Sequence, residues 1–225
     1  MNRRKVRLGV LGVVAALALV ATLAQIEASL ASGTAHPVAC RELVVNGGFE
    51  DGRTAWVEHS KLQMELLDPF YPHTGKVGAW LGGSNDAEDW LIQTVALSPD
   101  ATGITLRYWW AIFSEEPPGA AFDTARSELL RANGSVITTT LVIDNEAAEA
   151  WAWRKAEADL SAYAGQTVQL RLRANNDATN PTSFFFDDVS IVACQDDSTA
   201  TPTPTPSVAV TPQARNGLFL PVVLR

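Results

Sequence analysis

Two adjacent carboxylates interrupt an apolar run in the segment FFFDDVSIVAC, residues 184–194. Strand alternation predicts that Asp187 points inward with Phe185, Val189 and Ile191, and that Asp188 points to the opposite face. A glycosidase needs two carboxyl groups beside the same glycosidic bond. Because Asp187 and Asp188 are predicted to point to opposite faces, they cannot act on one substrate. A buried carboxylate without a partner is costly, so the pattern predicts that something neutralises Asp187.

Other catalytic signatures are missing from the sequence. The histidines are His36, His59 and His73, and they form no HExxH motif or recognisable Ser-His-Asp arrangement. No P-loop or Rossmann fingerprint occurs either. We therefore expect no catalytic residues and no enzyme, with a small glycan-active enzyme as the third alternative.

Aromatic and planar polar side chains share strand faces in two segments. Trp109 and Arg107 alternate together in GITLRYWWAIF, and Gln169, Arg171 and Arg173 alternate together in TVQLRLRANND. Sugars stack on exposed aromatic rings and accept hydrogen bonds from such groups, so neighbouring strands would form a glycan surface. The alternatives are that the tryptophans belong to the core and that the arginines form cross-strand ion pairs. The predicted ligand-binding residues are Trp109, Arg107, Gln169, Arg171, Arg173 and Trp151.

The two cysteines flank one domain. Cys40 precedes the first strand-like segment and Cys194 follows the last. In an exported protein the pairing of these residues is favoured, and the bridge would close residues 40–194 as one loop. Two free buried thiols are the alternative, and a two-cysteine metal site is disfavoured because no histidine lies near either residue in the sequence.

Short alternating segments fill the region between the cysteines. Apolar residues alternate in DWLIQTVAL (89–97) and in GITLRYWWAIF (103–113), and Asn133-Gly134 is a hairpin turn signal between two further strands. AWAWRKAEADL (150–160) is interpreted as a strand, although its Ala/Glu content also suits a helix. The pattern predicts an all-β fold, a two-sheet antiparallel β-sandwich.

Both chain ends differ in composition from this domain. Residues 1–35 combine Arg3, Arg4 and Lys5 with an apolar run and small residues, which predicts a secretory signal peptide, cleaved after Ala24, Ala31 or Ala35. An uncleaved membrane anchor is the alternative, and PVAC faintly resembles a lipoprotein cleavage box. Residues 195–217 form a Thr/Pro-rich linker, and residues 218–225 form a short apolar tag or a packing strand.

The charge balance restricts the partners. The chain has 17 Lys+Arg and 25 Asp+Glu, a formal net charge of −8. Residues 1–35 contain four of the basic residues and one acid, so the remainder has 13 basic and 24 acidic residues and a net charge of −11. This balance disfavours nucleic acid and anionic membrane surfaces, and it suits a secreted or cell-surface protein that binds divalent cations.

Four segments carry a family resemblance over about residues 42–193. In order, LVVNGGFEDG, HTGKVGAWLG, DLSAYAGQTVQLRLRA and FFFDDVSI resemble secreted bacterial jelly-roll modules of the galactose-binding-like type. These include carbohydrate-binding modules of families 4, 9 and 22, and MAM-like accessory domains of immune inhibitor A-type peptidases. The resemblance implies a non-catalytic module that recognises polysaccharide or cell-surface glycan. Its alternative is an adhesion or structural domain that binds a surface protein.

The resemblance also implies one structural Ca²⁺. Its ligands would be the carboxylates of Glu50 and Asp187, completed by backbone carbonyls near Gly75 and Lys76. The alternative is that Glu50 and Asp187 only accept backbone hydrogen bonds in a tight corner. A second acidic group, Glu115, Glu116 and Asp123, is expected to be a solvated loop, with a second ion as its alternative.

Overall fold

The computed structural model describes residues 38–147 and 149–196. The predicted signal peptide, most of the linker and the apolar tag lie outside these residues. Within this part of the chain, no helix has the length and apolar character needed to cross a membrane.

Eleven strands form two antiparallel sheets. The bounds are β1 Val38–Glu42, β2 Val57–Ser60, β3 Leu67–Asp68, β4 Gly78–Gly82, β5 Glu88–Ala96, β6 Gly103–Ser114, β7 Thr124–Leu130, β8 Val136–Asp144, β9 Arg154–Asp159, β10 Thr167–Asn175 and β11 Thr182–Asp196. A short 3₁₀ helix, Ser161–Tyr163, connects β9 to β10. The six-stranded sheet has the order β3-β4-β11-β6-β9, with β1 also paired to β11, and the five-stranded sheet has the order β2-β5-β10-β7-β8. The predicted β-sandwich is therefore confirmed.

The core lies between the two sheets and follows the predicted alternation. Leu106 and Tyr108 of β6 meet Leu170 and Leu172 of β10 in one apolar cluster, and each is at most 1% exposed. Alternate side chains of the same strands, such as Arg107 and Arg171, point to the outer faces. The period of two thus separates core positions from candidate binding positions.

Strand β11 departs from simple alternation at a β-bulge. Asp187 pairs with Trp109 and Ser190 pairs with Arg107, so β11 has one more residue than β6 in this interval. Asp188 occupies the left-handed region at φ 49°. The bulge exchanges the two faces, so even-numbered residues face the core before it and odd-numbered residues face the core after it.

The predicted set of inward-pointing residues in this strand is therefore partly wrong. Phe184 and Phe186 belong to the core cluster, as do Val189 and Ile191 beyond the bulge. Phe185 and Asp187 lie on the outer face, where the loop of residues 69–77 covers them. Both are buried, with exposed fractions of 1% and 0%.

The disulfide between Cys40 and Cys194 is confirmed. The two cysteines are directly opposed in the antiparallel pairing of β1 with β11, with a Cα–Cα distance of 4.0 Å. The bridge encloses 154 positions of sequence and fixes the first strand to the last.

Several predicted segments have different boundaries. The hairpin at Asn133-Gly134 is present, with Gly134 at φ 82°. The strand predicted from residue 150 begins only at Arg154, because Trp151 adopts a left-handed φ of 62°. The sequence did not predict the short strands β2 and β3, because β3 has two residues and β2, VEHS, contains one apolar residue.

Candidate functional site

The outer face of the five-stranded sheet presents side chains in transverse rows. In one row His59 of β2 lies opposite Trp90 of β5, Trp90 lies opposite Arg173 of β10, and Arg173 lies opposite Arg126 of β7. The rings of His59 and Trp90 stack with centroids 5.1 Å apart and an interplanar angle of 19°. One aromatic pair and two guanidinium groups therefore share one surface.

The neighbouring rows add apolar and amide groups. Val57, Ile92, Arg171 and Glu128 align across β2, β5, β10 and β7. In the next row Thr94 of β5 lies opposite Gln169 of β10. The face thus alternates apolar surface with planar hydrogen-bonding groups.

Ion pairs fix two of the arginines. The Nε and Nη2 groups of Arg171 donate to Oε2 of Glu128 at 2.9 and 2.6 Å, and the Glu128 side chain is 5% exposed. Arg173 donates to Oε1 of Glu88 at 2.9 Å. These pairs were the alternative interpretation of the arginines, and they orient each guanidinium group on the sheet.

A groove of about 630 Å³ opens beside β5 on this side of the molecule. Residues of β1 and of the segment that follows it line the groove together with Val57 of β2. The groove lies where the pairing of β2 with β5 ends, at Ile92. The groove size falls within the range typical of small-molecule sites. Its lining includes Glu42, Val57, Trp90, Ile92, Thr94 and Gln169.

The predicted ligand surface is divided between the two sheets. Gln169, Arg171 and Arg173 lie on the five-stranded sheet, whereas Trp109 and Arg107 lie on the outer face of the six-stranded sheet. The assumption that β6 and β10 are neighbours is therefore wrong, because each strand pairs with different partners. Trp90 was missed as a site residue, although its alternation with Thr94 was visible in the sequence.

Trp109 lies beneath His73 on the six-stranded sheet. The two rings stack with centroids 4.1 Å apart and an interplanar angle of 16°. Arg107 and Lys155 both contact the Glu157 carboxylate, at 3.1 and 3.0 Å. Hydrogen bonds from Arg107 and Lys155 lower the pKa of Glu157.

The remaining predicted tryptophan borders a second, smaller cleft on the six-stranded sheet. Trp151 is 38% exposed and stacks on Phe113 with centroids 4.5 Å apart. Phe70, 57% exposed, contacts the edge of the same indole. These three rings and Trp80 line a cavity of about 200 Å³.

The corner predicted to bind calcium is held by backbone hydrogen bonds. Oε1 of Glu50 accepts from the amides of Lys76 and Val77 at 2.7 and 3.0 Å, and these bonds lower the pKa of Glu50. Asp187 accepts from the amides of His73 and Thr74 at 2.8 and 3.1 Å through Oδ2. This arrangement matches the alternative interpretation of the corner, and Ca²⁺ at Glu50 and Asp187 stays a prediction.

Asp188, the carboxylate that was predicted to point to the opposite face from Asp187, has two side-chain partners in the same loop. Its Oδ2 lies 2.6 Å from Nδ1 of His73, and its Oδ1 accepts from the Thr74 hydroxyl at 2.6 Å. Asp187 and Asp188 therefore attach the same loop to the bulge of β11.

Burial raises the pKa of Asp187 to about 6, against the opposing effect of three backbone amides. The folded protein then binds a proton that the unfolded chain has lost, so stability falls as pH rises from about 4 to about 6. With chelator present, we expect the free energy of unfolding in urea to fall across this pH range. Asp187→Asn should flatten this dependence on pH. An equal slope in both proteins would contradict this assignment.

The second acidic cluster has a different membership from the predicted one. Carboxylate oxygens of Glu116, Asp123 and Asp177 lie within 4.8 Å of one another and could hold a metal ion. Asp177 replaces the predicted Glu115, because the loop after β10 folds back onto the loop after β6. Desolvation, followed by the charges of Asp177 and Asp123, raises the pKa of Glu116.

Comparison with known proteins gives similarity at the level of fold. No family model and no curated protein matches the chain. A family 61 carbohydrate-binding module, TmCBM61 in complex with β-1,4-galactotriose, is 15% identical with a TM-score of 0.48 over 67% of this chain and 97% of that chain. A family 16 carbohydrate-binding module is 22% identical with a TM-score of 0.43, over 66% and 98% of the two chains.

An adhesin domain has the same degree of similarity. The K3 domain of Lys-gingipain from Porphyromonas gingivalis is 17% identical with a TM-score of 0.46, over 67% of this chain and 98% of that chain. Carbohydrate-binding modules, one of the classes that the sequence resembles, are thus among the similar solved structures, together with adhesin domains.

Proposed function

We propose that this chain is a secreted or cell-surface module that binds a polysaccharide or surface glycan without catalysis. The observation that carries the proposal is the five-stranded face, where Trp90 and Gln169 line the groove and Arg173 lies directly across from Trp90. The disulfide fits an exported protein, because such bonds persist in oxidising compartments.

The chemistry of the face suits a sugar ring. A pyranose offers a C–H surface that packs on an indole, and hydroxyl groups that pair with guanidinium, amide and hydroxyl groups. Trp90 supplies the indole, while Arg173 and Gln169 supply planar polar groups beside it. Because Arg173 is already held by Glu88, it would bind with little loss of side-chain freedom.

Three carboxylates of the described domain have structural partners, which supports a non-catalytic role. Glu128 pairs with Arg171, Asp187 accepts backbone amides and Glu157 pairs with Arg107. Asp187 anchors the loop of residues 69–77, and hydrogen bonds from Arg107 and Lys155 lower the pKa of Glu157.

A panel of immobilised polysaccharides and a glycan array test this function. We expect the wild-type protein to bind at least one glycan and Trp90→Ala to weaken that binding at least tenfold, since aromatic contacts dominate such interfaces. Trp90 lies on the outer face and is half-buried, so the variant should fold. Absence of binding to every glycan would contradict the proposal.

A protein-binding role on the other sheet is the second candidate. Phe70 and Trp151 expose 57% and 38% of their surface and flank the cleft of about 200 Å³. Exposed aromatic residues at a cleft are common in protein interfaces. Adhesion through this surface predicts that Phe70→Ala disrupts attachment to cells while Trp90→Ala has no effect.

A further inference from the structure

Three acidic side chains from separate loops converge at the ends of β7 and β10. Glu116 follows β6, Asp123 immediately precedes β7 and Asp177 lies two residues beyond β10. Their carboxylate oxygens lie within 4.8 Å of one another. This distance is within reach of a single cation that binds oxygens at 2.3–2.6 Å.

One of these carboxylates is buried with an oxygen left without a partner. Asp123 is 0% exposed, and its Oδ2 has no hydrogen-bond partner among the described residues, as is also true of Oε1 of Glu116. The other oxygen of Asp123, Oδ1, accepts the amide of Asp177 at 2.7 Å. Oδ1 of Asp177 in turn accepts the amide of Thr179 at 2.8 Å.

The cluster concentrates negative charge at one end of the sandwich. Across residues 38–147 and 149–196, no lysine, arginine or histidine forms an ion pair with Glu116, Asp123 or Asp177. A buried carboxylate without a counter-charge is strongly unfavourable. The fold therefore supplies hydrogen bonds to some of these oxygens and leaves one buried oxygen of Asp123 and one of Glu116 unpaired in the same cluster.

We propose that Glu116, Asp123 and Asp177 form a calcium site. The donors are all oxygens, which excludes the thiolate and imidazole ligands that zinc prefers in structural sites. Ca²⁺ accepts six to eight oxygens in flexible geometry, so three carboxylates leave room for carbonyl groups and water. The site lies on loops other than those of the predicted calcium corner at Glu50 and Asp187.

Calcium at this site would organise the loop between β6 and β7. This loop contains Pro117, Pro118 and Gly119. Asn145 already secures its end, because Oδ1 accepts from the amides of Phe122 and Asp123 at 2.8 and 3.1 Å. A cation bound to Glu116 would fix the beginning of the same loop, and Asp177 would connect it to β10.

Calorimetric titration of chelator-treated protein with CaCl₂ tests the site. Wild type should bind Ca²⁺, and Asp123→Asn should weaken one binding event more than tenfold, because asparagine keeps the Oδ1 acceptor but removes the charge. Asp100→Asn, the same change at an exposed position, should leave binding unaltered. If the Glu50 corner also binds, Glu50→Gln should remove a separate event.

Melting in chelator and in CaCl₂ separates a metal role from a purely structural one. In chelator Asp123→Asn should melt at or above the wild-type temperature, since it removes a buried charge, and in CaCl₂ it should lose the stabilisation that calcium at this site gives to wild type. Asp177→Asn, on an exposed turn, provides a second variant with the same expected loss of binding. Wild-type affinity in both variants, or no Ca²⁺ bound by wild type, would overturn the proposal.

Discussion

Replacement of both Cys40 and Cys194 by alanine is expected to lower the free energy of unfolding by about 5 kcal/mol. The chain-entropy relation gives this upper value for a bridge that encloses a loop of this length, which is 154 positions. For a domain of this size the loss corresponds to a fall in melting temperature of roughly 10–20 °C. Thermal melting of the double variant measures it.

Reduction of the wild-type protein provides the matched control for this prediction. Reductant should lower the wild-type midpoint to that of the double variant and should leave the variant itself unchanged. Because the two cysteines are directly opposed in the β1–β11 pairing, reduction removes the covalent link between the first and last strands. Two reactive thiols in unreduced, denatured protein would show that the bridge is not formed.

Gly47→Ala is expected to cost about 3 kcal/mol or more, in the upper range for insertion of an atom into a packed site. A Cβ atom at Gly47 would lie 1.8 Å from the carbonyl oxygen of Val189, which is backbone and cannot rotate away. Gly47 also accepts the amide of Val189 at 2.9 Å, beside the bulge at Asp188. The alanine side chain would therefore force the turn at Gly47 away from β11. Urea unfolding would measure the resulting loss in free energy of unfolding.

The adjacent glycine supplies the control for this substitution. A Cβ atom at Gly48 would meet only Oδ1 of Asp188, at 3.8 Å, which is an ordinary contact. Gly48→Ala should therefore change stability by much less than Gly47→Ala. Equal losses in the two variants would mean that the turn, and not its contact with β11, limits stability.

The strands that alternate over seven or more residues were predictable from the sequence. In β10, and in β6 as far as Trp110, buried residues alternate with exposed or half-exposed ones, because each strand has one core face. The disulfide was predictable from the positions of the only two cysteines. These features depend on local pattern or on residue type alone.

Features that depend on non-local pairing were not predictable. The alternation of β6 and of β10 does not state which sheet each strand joins, so Trp109 and Arg173 were wrongly combined on one surface. The bulge at Asp188 inserts one residue and exchanges the faces of β11, so Phe185 was assigned to the core. Asp177 joins Glu116 only through the return of a distant loop.

The affinities of Trp90→Ala and Trp109→Ala for the best glycan from the array test the central claim most directly. The two variants remove the same side chain from opposite outer faces, Trp90 in the five-stranded sheet and Trp109 in the six-stranded sheet. Binding on the five-stranded face predicts at least a tenfold loss for Trp90→Ala and less than a twofold loss for Trp109→Ala. The reverse order, or equal losses in the two variants, would contradict it.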